Sequence, residues 1–246
     1  MNLTAEQIST NFDKLIKISD QYFSGIRLEK TTKMYGDLGD TLALMPASSF
    51  EHFHSCYPGG HVVHTLNVIK FSIYVYKLWK MCGADLSNFT IEELVFSAMF
   101  HDLGKAGNIK FEKYIPNDSS WHVKNQGRFY KLNPELQMMP DNQRSMYLLQ
   151  KFNIEVSENE FISIMAHEAL YNDDSKAYFT QFSDDKTLKF NLPYILHQAD
   201  VMAYRIEYEQ WRNSDKANKY SPLKIVKSKE NKKVTDKKFD DLFTNK

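Results

Sequence analysis

Cysteine is almost missing from this chain. Two occur in 246 residues, Cys56 and Cys82, and neither belongs to a C-x-x-C pair. That count excludes a disulfide framework and a zinc ribbon, and it predicts two buried, reduced thiols in a cytoplasmic setting. No apolar run approaches the ~18 residues of a membrane-spanning helix. The opening MNLTAEQIST has neither a basic nor an apolar stretch, so it does not read as a signal peptide. An excess of charge is lacking too: 31 basic residues face 31 acidic ones. Such a balance argues against wholesale binding of nucleic acid or membrane surfaces. Strand-like alternation is nearly absent, which leaves an all-α fold as the expected class.

What is present is ordinary globular material, with 42% hydrophobic and 25% charged residues. Three capping boxes mark helix starts, at Thr4–Gln7, Thr90–Glu93 and Ser157–Glu160. A first helix is expected over about 4–23 and a second over 25–35, ending before Gly36 and Gly39. Pro58-Gly59-Gly60 then punctuates the chain, and HVVHTLNVIKFSIYVYKLWKMC follows as a helix apolar on most sides. Residues 106–140 read as a long loop dotted with aromatics, of the kind that is often functional. Asp141 is placed to cap a helix to about 151, ISIMAHEALY reads as one helix, and a polar turn precedes a last long helix over 188–212. From Ser221 lysines dominate. The chain is therefore expected to divide into a helical domain over 1–220 and a basic, solvated tail over 221–246.

The stretch FHDLGK, residues 100–105, poses the chemical question. It places His101 and Asp102 directly after Val95, Phe96, Ala98, Met99 and Phe100. Burying an imidazole beside a carboxylate costs several kcal/mol unless something pairs with them. His64, one turn into the helix after the Gly-Gly break, and Asp200, in the apolar HQADVMAYRIE, are polar intrusions of the same kind. Imidazole and carboxylate together suit a divalent ion of the hard-to-borderline class, which would neutralise the carboxylates and satisfy the histidines.

The ordered set H…HD…D, with PGGHVVHT at 58–65, HDLGK at 101–105 and the late HQAD, resembles the HD-domain superfamily of metal-dependent phosphohydrolases. The resemblance covers roughly residues 50–212. It implies an all-α bundle around a central metal held by His64, His101, Asp102 and Asp200. It also implies water attack on phosphorus, with Asp102 and Lys105 as catalytic groups and Lys105 holding a phosphate oxygen. The ion could be Mn, Mg, Co, Ni or Fe. His167 and His122 are the candidates for a second metal or for substrate. A family histidine is missing near 141–144, where Asp141, Asn142, Gln143 and Arg144 stand instead. That departure argues against a full two-metal site and leaves Arg144 as a candidate phosphate clamp.

Each residue also has a plainer reading. His61 is a rival to His64 one turn away, Lys105 is favourable at a helix end in any case, and His52 and His54 suit a loop or pocket rim. Trp121, Tyr114, Tyr130 and Tyr171 could stack a base or could pin a loop to the core, and either role predicts partial burial. His197 suits packing. The implied substrate is a small phosphorylated molecule, a nucleotide first, because a polymer would call for a basic groove and only the tail is basic. The rival readings are a di-iron oxygenase, which needs all six ligands, and a non-catalytic nucleotide-binding module. FDDLF near the end is a candidate docking peptide for a partner protein, and long apolar helices are compatible with an oligomer.

Overall fold

The computed structural model describes residues 3–214. The expected tail and its FDDLF segment lie outside the described residues. Within them the protein is helical, with one two-stranded sheet.

Helix α1, Ala5–Tyr22, starts at the Thr4–Gln7 capping box and packs against α2, Gly25–Leu44. Gly36 and Gly39 do not end α2. The stripe Met34, Tyr35, Leu38 and Leu42 is buried in the main core, and its packing outweighs the poor helix propensity of two glycines.

The centre of the fold is a pair of long helices, α3 (Gly60–Met81) and α9 (Leu192–Arg212). They run antiparallel. Asn67 reaches Glu207 near one end of the pair, and Trp79 donates to Gln198 toward the other. Gly60 has to be glycine, because a Cβ there would lie 1.8 Å from the Ser55 carbonyl oxygen. The loop and the helix start are therefore in backbone contact.

Two shorter helices lie beside this pair. α4, Ile91–Phe100, and α7, Glu158–Ala166, each begin with a capping box, and the two boxes are tied together: Ser157 Oγ donates to Glu93 at 2.7 Å. Arg27 clamps the same end. It donates to both carboxylate oxygens of Glu160, at 2.6 and 3.1 Å, and to Glu92 at 3.1 Å. Phe23, Phe96 and Phe100 pack ring on ring between these helices and α1.

The remaining elements refine the sequence reading. The region taken as loop holds β1 (Tyr114–Pro116), α5 (Ser120–Gln126) and β2 (Tyr130–Leu132), with Tyr114 opposite Leu132 in an antiparallel pair. α6, Asp141–Lys151, is not capped by the Asp141 side chain, which pairs with Lys113 at 2.5 Å. ISIMAHEALY is not one helix: α7 stops at Ala166, and a 3₁₀ turn follows over Ala169–Tyr171, with Ala169 in left-handed backbone. The polar turn contains α8, Asp173–Thr180, started by the Asn172 side chain. Both cysteines are free, but only Cys56 is even half-buried; Cys82 is exposed, against the expectation of two buried thiols. Among the described residues no helix is long and apolar enough to cross a membrane.

Candidate metal centre

The parallel run of α4 and α7 has a chemical outcome. Cross-linked at their starts, the two helices finish side by side, and each finishes on a histidine: His101 caps α4 and His167 caps α7. Their rings meet edge to face at 5.1 Å. In both, Nδ1 faces the carbonyl three residues back, Ala98 at 2.9 Å and Ile164 at 2.7 Å. A carbonyl can only accept, so Nδ1 carries a proton, which in the neutral ring makes Nε2 the nitrogen with the lone pair. His101 Nε2 is buried and has no hydrogen-bond partner.

His64 completes the arrangement from α3. Its Nδ1 faces Glu207 at 3.3 Å and its Nε2 faces Asp200 at 3.1 Å. Burial alone would push its pKa down, but the Glu207 carboxylate and then the Asp200 carboxylate outweigh that and lift it to about 10. Asp102 stands directly after the α4 cap. Its Oδ2 lies 3.4 Å from His101 Nε2 and 3.8 Å from His64 Nε2, and Asp200 Oδ1 lies 3.8 Å from His101 Nε2. His64, His101 and Asp102 are all buried, and their ligand atoms fall within 4.8 Å of one another.

This set fits a divalent ion. Imidazole nitrogens and carboxylate oxygens converge here, and His101 Nε2 has no hydrogen-bond partner among them. A cation at that point would satisfy all of them. Burial works against the charge on Asp102, and the Lys105 ammonium and then His101 more than offset it, so its carboxyl sits well below the usual carboxylate range. Asp200 is lowered as well, with burial opposed by His64 and His101.

Around this group stand residues with narrower jobs. Lys105 closes the 3₁₀ turn Leu103–Ala106, with Nζ 2.6 Å from Asp102 Oδ2. Gly104 lets that turn lie against α6: a Cβ there would sit 2.1 Å from the Asp141 carbonyl, and its N–H donates to Ser145 Oγ at 2.8 Å. His167 Nε2 lies 3.9 Å from Asp102 Oδ1, at the edge of the group. His61 does not join it; its Nε2 faces Thr65 Oγ1 at 3.4 Å.

Other residues singled out from the sequence lie elsewhere. Arg144 is buried on α6 and donates to the Gln137 carbonyl at 2.5 Å. His122 sits on α5 edge-on to Trp121 and is not among the clustered ligands. Trp121 is 59% exposed and Tyr171 74%, so neither shows the partial burial expected both of a base-stacking aromatic and of a loop pin. Tyr171 accepts a hydrogen bond from the Tyr204 hydroxyl. His197 faces the His167 carbonyl at 2.9 Å, a packing role beside the site.

Glu207 escaped the sequence reading, and His54, expected only at a loop or pocket rim, lies closer to the site than that. Glu207 is buried, faces His64 Nδ1, and also accepts from Asn67 at 2.9 Å and Ser55 Oγ at 2.9 Å. His54 lies tilted against His64, ring centroids 4.7 Å apart, and burial, followed by the nearby His64 and Lys105 charges, lowers its pKa to about 3. The spacing held a hint for Glu207, since it falls two helical turns after Asp200 on the same face of α9. His54 lies in an irregular loop, where no periodicity could point to it. Comparisons with protein-family models, curated proteins and solved structures found no match for this chain.

Proposed function

We propose that the protein is a metal-dependent phosphohydrolase acting on a small phosphorylated substrate, a nucleotide first. The observation that carries this reading is the buried convergence of His64, His101 and Asp102, with partly buried Asp200 beside them and each imidazole Nδ1 held by a separate acceptor so that Nε2 points inward. The resemblance of PGGHVVHT, HDLGK and HQAD to the HD-domain pattern supports the reaction type.

His64, His101, Asp102 and Asp200 would hold the ion. When bound, it supplies Lewis acidity toward water and toward a phosphoryl oxygen. The net step adds water across a P–O bond: water oxygen bonds to phosphorus, the leaving oxygen departs, and the water's proton goes to it. Glu207 would hold a proton on His64 Nδ1, and an ion would displace the second proton that Asp200 favours on Nε2. Lys105 Nζ is the cation at hand for a phosphoryl oxygen, shared with Asp102 Oδ2. The placement of His167 beside Asp102, with Nδ1 committed and Nε2 inward, supports a second ion or a substrate contact there. That same feature favours an iron-based oxygenase as the alternative.

The test is release of phosphate, pyrophosphate or triphosphate from a panel of ribo- and deoxynucleotides with added manganese. Asp102→Asn runs beside the wild type, because Asn keeps the shape and an oxygen acceptor for the Lys105 ammonium, which Asp102→Ala would remove. Turnover of one nucleotide class, lost in the variant, is expected. No turnover with any nucleotide, together with two irons per chain in protein made without chelators, would replace the hydrolase reading with the oxygenase.

A further inference from the structure

Glu207, which faces His64, also lines a cavity of about 550 Å³. That volume is within the usual range for small-molecule sites. Four aromatic side chains wall it, Tyr57, Phe129, Tyr130 and Trp211, and none of the four metal-site residues does. Charge on this wall is already met. Glu207 accepts from Ser55 Oγ on one carboxylate oxygen and from Asn67 on the other, where His64 Nδ1 also stands at 3.3 Å. Glu51, the second acid on the wall, has an interaction partner of its own. Among the described residues no lysine or arginine lines the cavity. An ammonium would find no free carboxylate here and a phosphate no cation, so either would lose hydration without compensation.

What stays open on the wall is polar and neutral. The Tyr130 hydroxyl and the Gln210 side-chain amide have no hydrogen-bond partner among the described residues, and neither is sealed from solvent. A hydroxyl and a primary amide each donate and accept. Aromatic faces beside neutral groups of this kind suit a flat, uncharged ring with polar atoms on its edge. The wall also has a strained support. Ser55 adopts a left-handed backbone with φ of 44°, a conformation unfavourable for a residue with a side chain, and in it the hydroxyl reaches Glu207 at 2.9 Å.

We propose that this cavity is a second ligand site and that it takes an uncharged heteroaromatic molecule of nucleobase or nucleoside size. The ring packs on the aromatic wall, and its polar edge pairs with Tyr130 and Gln210. A phosphate or an ammonium on the same ring weakens binding, because the wall holds no unmet charge for either. The proposal rests on the cavity alone and is independent of the hydrolase reading.

The experiment is calorimetry on the full chain with chelator present, so that no ion at the metal centre draws a phosphate there. The probes are adenosine, adenosine monophosphate and phenethylamine: a neutral heteroaromatic, the same ring system carrying a phosphate, and a ring carrying an ammonium. The expected result is that adenosine binds and that each charged probe binds about tenfold more weakly or not at all. Phe129→Ala and Gln210→Ala, both at side chains exposed enough to replace without unfolding the chain, should each lower adenosine affinity several-fold. No adenosine binding at millimolar concentration, or unchanged affinity in both variants, would overturn the site. Equal or tighter binding of either charged probe would overturn the ligand class. No arm reads phosphate release, so failure here is distinct from failure of the hydrolase reading.

Discussion

Glu207 illustrates how much a single carboxylate can do without touching a metal. It accepts from Ser55 and Asn67 and faces His64, so it ties the 48–60 loop, α3 and α9 to one imidazole. Partners of this kind fix the tautomer of a ligand histidine, and their loss typically lowers metal affinity about 10- to 100-fold. Glu207→Gln is expected to lower manganese affinity by that factor in calorimetry, while His61→Ala leaves it near the wild-type value. The reverse order would mean that His61, not His64, is the ligand. Gly104 makes the second residue-scale case. A methyl group at this position must push the Asp141 carbonyl aside, so Gly104→Ala is expected to destabilise by about 1–3 kcal/mol in denaturant melts and to displace Lys105. His64, His101, Asp102 and Asp200 stood out in the sequence because each puts a charge or an imidazole into or directly after an apolar stretch. Glu207 was not, because it falls among the polar residues of the YRIEYEQ stretch, where a carboxylate reads as solvent-facing.

Helix ends, rather than helix lengths, organise the fold at the scale of elements. All three capping boxes read from the sequence are present, since a side chain that reaches its own helix start is a local event. What stayed hidden depended on distant contacts. The passage of α2 through Gly36 and Gly39 rests on tertiary packing, and β1 with β2 is only three residues a strand. The linked caps of α4 and α7 carry a pH signature. Burial would raise the Glu93 pKa, but hydrogen bonds from Ser157 and Thr90 outweigh it, so the folded value lies below the ordinary 4.5. A lowered carboxylate stabilises the fold above its unfolded pKa, and that contribution is lost as pH falls through the folded value. Glu93→Gln is therefore expected to flatten the acid side of the melting-temperature profile below pH 4.5, with little change in slope near neutrality.

Across the whole molecule, the buried centre joins elements far apart in the chain. His64 comes from α3, His101 and Asp102 from the end of α4, and Asp200 from α9, so an ion bound there holds three helices at once. A ligand specific to the folded state at about 100 times its Kd adds about 2.7 kcal/mol of stability. Manganese at that level is expected to raise the melting temperature, chelator to reverse the rise, and Asp102→Asn to abolish it. An unchanged melting temperature on adding any divalent ion would argue for a centre held by its own protons. The helical class and the ligand order could be read along the chain, whereas the shared closing point of α4 and α7 could not, because it depends on two caps meeting across 64 residues.

That closing point also bears on the order in which molecules arrive. The last carbonyls of two parallel helices carry partial negative charge toward the place where Asp102 and Asp200 already stand. A phosphate approaching this combined field is repelled until a cation has neutralised it. On the proposed hydrolase reading, addition would be ordered, ion before substrate, and excess free nucleotide that strips the ion from solution would inhibit its own hydrolysis.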